Sequence, residues 1–415
     1  MVNRIYRTII FVGLAAVLIF SPIARGSVKL WSITPVLLVA YVLIFLWLFK
    51  VINAKRGQSL RAESGSHGTV PFLSTIPNAL NAPILLFAIL AITSFAFSVY
   101  KHDSFYALLM LFAYIGLYYM VANELDHKAR RRIIWLVIGI GGTLSVYGLL
   151  QYFGVFSHSW WIPSQFLAAT YTNHNHFAGY LELVIPAAIA VLTARSTQKS
   201  MLSKVVLVTA LVPMFAAFVL TQSRGAWVSL GCAILIMLLV MVIRNKSRVR
   251  IVLILALVIV AAVSLIYFAG DMMSSRIATI TAAGEDEDVS GGRFKIWQGA
   301  IGMIKERPLI GFGIGDFDAG FYRYRSEGFN ARAVYAHNDY LHMAAEMGII
   351  APLIMLWIFI AAMRNGFRKK DTSPYAFGCV IGILSLALHG IVDFNFHIPA
   401  NMILFTVWLG IVSGE

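Results

Sequence analysis

One histidine and two arginines stand out by where they fall in the chain. His337 lies in Val334-Tyr335-Ala336-His337-Asn338-Asp339-Tyr340-Leu341-His342, near the end of a long polar insert. A neutral imidazole at a membrane surface is suited to accept a proton from a hydroxyl near neutral pH. His342 follows Asp339 by three residues and precedes Glu346 by four, so it reads equally as a structurally satisfied imidazole. On residue type alone the two histidines remain equal candidates for the base. Arg224 sits in Thr221-Gln222-Ser223-Arg224-Gly225-Ala226-Trp227, a turn between two apolar stretches. A cation there has a partner or a task unless it only snorkels or caps a helix. Arginine suits phosphate because its planar fork donates paired hydrogen bonds. Arg293, after Gly291-Gly292, is a second candidate, ahead of Arg276, Arg307, Arg323, Arg325 and Arg332, since any soluble insert needs charge.

Other polar residues are candidates for the walls of a site. His174 and His176 form an H-x-H pair in Thr170-Tyr171-Thr172-Asn173-His174-Asn175-His176. Two metal ligands on one helix want a spacing of three or four, and no Cys or acid lies nearby as a third, so a loop lining the site is the better reading. Asp393-Phe394-Asn395-Phe396-His397 makes a later connection polar where a plain turn would do; it should pack under the insert or line its cleft. Glu182, inside an apolar run, must be paired or protonated. Gly311-Phe312-Gly313-Ile314-Gly315-Asp316 is a tight turn with the wrong spacing and surroundings for a dinucleotide fingerprint.

The elements that position these residues are membrane helices. Of 415 residues, 59% are hydrophobic and only 13% charged, too few charges to cover a soluble protein of this length. About twelve stretches are long and apolar enough to span a bilayer. They fall near 9–20, 33–51, 83–99, 105–121, 133–153, 179–194, 205–220, 225–243, 251–269, 347–363, 376–392 and 399–413. The first is expected to be a retained helix, because 20–25 offers no small-residue cleavage site. The net charge of +14 is distributed by topology. Most Lys and Arg fall in alternate connections, such as Lys128 to Arg132 and Arg244 to Arg250, which predicts those loops and both termini in the cytoplasm. This distribution argues against a nucleic-acid partner. Cys232 and Cys379 lie inside expected spans and read as small buried hydrophobes.

The expected architecture is all-α: spans one to nine over 1–270, an external insert over 271–346, and spans ten to twelve over 347–415. Residues 61–74 read as a flexible cytoplasmic loop, and Trp160 and Trp161 suit a membrane interface. Within the insert, 284–288 reads as an acidic turn. A helix is expected from Arg293 to Glu306, with Arg293, Trp297, Ala300 and Ile304 on one face. A second should cover 317–325, and a third should run from 337 straight into span ten.

Together the Ser223-Arg224-Gly225 turn, Gly291-Gly292-Arg293 with Trp297, the 308–315 turn and His337-Asn338-Asp339-Tyr340-Leu341 resemble the bacterial O-antigen ligase and polysaccharide polymerase superfamily. Their order and topology, more than any single motif, carry the resemblance. It implies a GT-C-like fold in the bacterial inner membrane, with an active site on the periplasmic face. It also implies an inverting glycosyltransferase that needs neither metal nor other cofactor. The donor would be a glycan on undecaprenyl diphosphate, the acceptor a glycan or a lipid A-core hydroxyl. His337 would be the base and Arg224 and Arg293 would hold the diphosphate, with Asn338, Tyr340, His174 and His176 completing the substrate site. A protein O-oligosaccharyltransferase is the related alternative. A lipid-linked sugar transporter is the more distant one, and the spans hold few ionisable groups beyond Glu182 to serve it.

Overall fold

The computed structural model describes residues 2–62, 79–155, 166–194, 197, 199–243, 292–325, 332–368 and 373–414. The expected span at 251–269, the first part of the insert including Arg276 and the acidic turn, Trp160 and Trp161 lie outside the described residues. Every regular element among those described is helical. The bundle comprises α1 (Val2–Ile23), α2 (Leu30–Ala62), α3 (Asn81–Ala96), α4 (Lys101–Glu124), α5 (His127–Tyr152), α6 (His174–Leu192), α7 (Met201–Leu220) and α8 (Arg224–Ile243). The insert contributes α9 (Arg293–Glu306), α10 (Phe317–Phe321) and α11 (Asp339–Met347). The bundle closes with α12 (Ile350–Arg368), α13 (Pro374–His389) and α14 (Pro399–Ser413). Eight of the helices are long and apolar enough to cross a membrane, and α3, α13 and α14 are shorter apolar helices. The chain is a polytopic membrane protein.

The centre of the bundle is α6. It is apolar all round and buried along almost its whole length, as a helix surrounded by others must be. α13 approaches it closely because Gly378 and Gly382 face it: a Cβ on Gly378 would lie 2.6 Å from Ala187 Cα. α14 is tied to the same helix by Trp408, whose Nε1 donates to Leu183 O at 3.0 Å.

Of the two cysteines expected to be buried, Cys379 is buried but Cys232 is exposed, and three helix bounds are corrected. α6 starts at His174, capped by Asn173, so His174 and His176 lie on the first helical turn and not in a loop. The second insert helix stops at Phe321 and tightens into a 3₁₀ turn over Tyr322–Tyr324. The third does not run into the next span. It ends at Gly348 with φ of 82°, a backbone state open to glycine, and α12 begins afresh at Ile350.

The insert has its own small core of Ile296, Ala300, Met303, Phe312, Phe317, Phe321, Ala333, Ala336 and Ala345. The buried stripe of α9 is therefore Ile296, Gly299, Ala300 and Met303, overlapping the expected face but rotated from it. Trp297 and Arg293 lie half-buried at its margin. The insert is strapped to the bundle. Asp316 Oδ2 accepts from Ser98 Oγ at 2.8 Å and from the Tyr100 amide at 2.7 Å, and Val99 N donates to Phe312 O at 2.9 Å. On the other side the Asp339 amide donates to Gly390 O at 2.8 Å and Asp393 O at 3.1 Å, and Tyr340 Oη donates to Ala387 O at 2.5 Å.

Candidate active site

The expected base, His337, sits immediately before α11. Its φ is 49°, a left-handed conformation that costs a side-chain-bearing residue about 1–3 kcal/mol and concentrates at functional positions. Asn338 fixes the start of the helix, its Oδ1 accepting from Tyr340 N and Leu341 N at 3.0 Å each as the cap of α11. Asn338 and Tyr340, expected to bind substrate, thus engage the helix start and α13 with these atoms. The His337 ring stands edge-on to Phe394 at 4.8 Å, and the Nδ1 atom is buried without a hydrogen-bond partner. Phe394 gathers the neighbourhood: Tyr335 stacks on it at 4.3 Å and His176 meets its edge at 4.8 Å.

The charges around His337 act in opposite directions. Burial pushes it below the ordinary imidazole value, Asp393 pulls it up, and Arg293 and His342 push it further down. The outcome is an imidazole that is neutral at neutral pH. Arg293 opens α9 and acts on His337 by its charge. Trp297, one helical turn later, donates from Nε1 to Ala336 O at 2.9 Å and ties that helix to the residue before His337. Arg224, exposed, opens α8 after Gln222, itself left-handed at φ 53°. The hairpin before it rests on α6, where His174 Nδ1 donates to Thr221 O at 2.6 Å. Among the described residues neither Arg224 nor Arg293 pairs with a carboxylate.

His174 and His176, two apart on a helix, point to different neighbours. His174 stacks on Phe166 at 4.5 Å and serves the hairpin. His176 is buried with neither ring nitrogen bonded, and it feels the charges of Asp393, His389, His337 and His174. The structure therefore groups His337, Arg293, His176 and Asp393, with His174 and the Arg224 hairpin alongside.

His342, the rival base, is fully engaged. Its Nδ1 accepts from Ala336 N at 3.3 Å and its Nε2 faces Glu346 Oε1 at 3.0 Å. Burial lowers its proton affinity, so the ring is neutral with its proton on Nε2. Burial works to raise Glu346, but His342 brings it below the ordinary carboxylate value. His397, flagged only as polar, has Nδ1 2.8 Å from Asp339 Oδ1. Burial works to lower His397, yet the Asp339 hydrogen bond and charge carry it above the ordinary imidazole value. Ligand atoms of His342, Glu346 and His397 lie within 4.8 Å of one another. A cation on His342 Nε2 would have to displace a proton held by Glu346 and reverse the tautomer that Ala336 N fixes. The grouping reads as two carboxylate–imidazole pairs side by side.

Residues 209–358 match the family model described as O-antigen ligase. This stretch is similar to an O-antigen ligase domain. The match takes in α8 with Arg224, the insert with Arg293, and His337, so the ligase-family segment includes those candidates while His174, His176 and Asp393 lie outside it. The chain is thus related to enzymes of the ligase and polymerase type. No curated protein matches it.

His389 carries almost no signal in the sequence. It is the last residue of α13, and only its spacing of four before Asp393 marks it. Glu182 was expected to be paired or protonated, and it is paired: Ser385 Oγ donates to it at 2.9 Å and His389 Nδ1 at 2.7 Å.

Proposed function

We propose that this chain transfers a glycan from undecaprenyl diphosphate to an acceptor hydroxyl at the periplasmic face of the bacterial inner membrane, as an O-antigen ligase or polysaccharide polymerase. The observation that carries this reading is a neutral, strained His337 beside Arg293, in a domain matched to O-antigen ligase. The acceptor oxygen attacks the anomeric carbon while His337 takes the hydroxyl proton. The bond from that carbon to the diphosphate oxygen breaks, and the diphosphate leaves with the electron pair. It is a good leaving group, so the need is for fixed cations where its charge grows, and Arg224 and Arg293 supply them. Direct displacement inverts the anomeric centre. His176, buried and unbonded beside His337, lines the acceptor side, with His174 steadying the Arg224 hairpin.

Purified protein in vesicles carrying an undecaprenyl-diphosphate glycan should form the transfer product. His337→Ala should lower that rate by roughly 10²–10⁴-fold while donor binding survives. The neutral form is the base, so the rate rises as pH climbs through the proton affinity of His337. Burial lowers that affinity, so the acid limb should lie below the ordinary value of 6.5. Full activity in His337→Ala, or an acid limb above 6.5, would sink the assignment. In cells lacking the chain, complete loss of long glycans from the core marks a ligase, and single repeats still attached mark a polymerase.

A further inference from the structure

Glu182 is wholly buried in α6, and the transfer chemistry makes no use of it. A carboxylate inside a span is costly unless paired, and Ser385 and His389 supply the partners. Replacing such a pair with apolar residues of similar volume is often neutral or stabilising. Stability alone therefore gives no reason to keep it.

The pair sits beneath three parts of the site. The far side of the His389 ring, Nε2, lies 3.8 Å from Asp393 Oδ2, and Asp393 is the carboxylate whose charge supports the proton on His337. Gly225, next to Arg224, rests on the same ring, where an added Cβ would lie 3.1 Å from Cδ2. Asn395 Nδ2 lies 3.1 Å from His389 Nδ1, and Asn395 Oδ1 accepts from Asn401 Nδ2 at 2.9 Å. Asn401 Nδ2 also donates to His176 O at 2.9 Å. One imidazole thus touches the turn bearing Asp393, the hairpin bearing Arg224, and the amide chain that reaches the start of α6.

We infer that Glu182 and His389 are positioning residues: Glu182 fixes the His389 ring, and that ring holds Asp393 against His337 and seats the Arg224 hairpin. The inference rests on the transferase reading. It makes the buried pair part of the catalytic geometry at a distance from the reacting atoms, where displacements of about 1 Å can cost roughly 10²-fold in rate.

The test is the double variant Glu182→Leu/His389→Leu, which removes both charges and so avoids leaving one unpaired in the bundle. Wild type and His337→Ala are assayed beside it in the same vesicles. The expected result is a folded protein with kcat down about 10²-fold, KM for the donor little changed, and the acid limb moved to lower pH as Asp393 ceases to support His337. Glu182→Gln, which keeps the shape and the Ser385 contact, should lie between. A double variant with wild-type kcat and pH profile overturns the inference. So does a loss of activity that only follows the folded fraction, with the acid limb unmoved. If wild type itself forms no product, the transferase reading fails instead.

Discussion

At the two ends of the helix bundle, charge is handled differently. At the end away from the insert, cations meet acids or carbonyls: Lys50 pairs with Glu124, Arg130 Nη2 donates to Ala122 O at 3.0 Å, and Asp126 caps α5 through Ala129 N. At the insert end the buried acids Glu182, Asp339 and Glu346 are each taken by a histidine, while Arg224 and Arg293 have no carboxylate among the described residues. The first arrangement anchors helices in a basic surface that needs no ligand. In the second, Arg332 pairs with Asp318 within the insert, but Arg224 and Arg293 stand apart from the buried acids, and on the proposed reading their guanidinium groups stay available to an anion that arrives from outside the chain. Imidazoles serve this purpose because they satisfy a carboxylate without committing a permanent cation.

The contrast can be broken most sharply at the arginines. Arg224→Ala and Arg293→Ala should each lower the transfer rate by about 10²–10³-fold, the scale for loss of one fixed donor at a developing charge. Lysine should restore only part, since a point charge does not reproduce the fork. Wild-type rates in both alanine variants would mean that these cations are not the diphosphate clamp. A smaller effect tests the coupling between Arg293 and His337. Trp297→Phe removes the Nε1 bond to Ala336 O, worth about 1 kcal/mol, and should lower kcat/KM roughly five-fold. The smallest effect belongs to the other end. Lys50→Ala should cost at most about 1 kcal/mol in unfolding and leave transfer unchanged; a large loss of transfer there would erase the distinction between the ends.

Much of the fold was legible because each span declares itself locally, and eleven of the expected spans coincide with described helices. Helix starts were legible in part: Asn173 and Asn338 are good caps, yet the polar H-x-H run masked the true start of α6. Of the proposed site, His337, Arg224 and Arg293 stood out as candidates because each is polar where apolar or short sequence was expected. The preference for His337 over His342 as the proposed base could not be drawn from spacing. It depended on Ala336 N and Glu346 closing both nitrogens of His342 while His337 Nδ1 stayed unbonded. The pairs Glu182–His389 and Asp339–His397 were illegible, since their members lie far apart in the chain and meet only when α6, α13 and the insert pack. The break at Gly348 was hidden by an apolar continuation that looks helical on both sides.

Asp339, whose amide reaches Gly390 O and Asp393 O and whose carboxylate takes His397, fastens the insert to a stretch made after every helix but α14. During synthesis the insert and its proposed base therefore emerge before the residues that hold them in register. Until 389–401 have joined the bundle, the partially made chain lacks the contacts around Asp393 and Asn401. On the proposed reading, transfer should switch on only after the final hairpin has inserted, so the unfinished chain can pass through the insertion machinery without acting on the lipid-linked glycans around it.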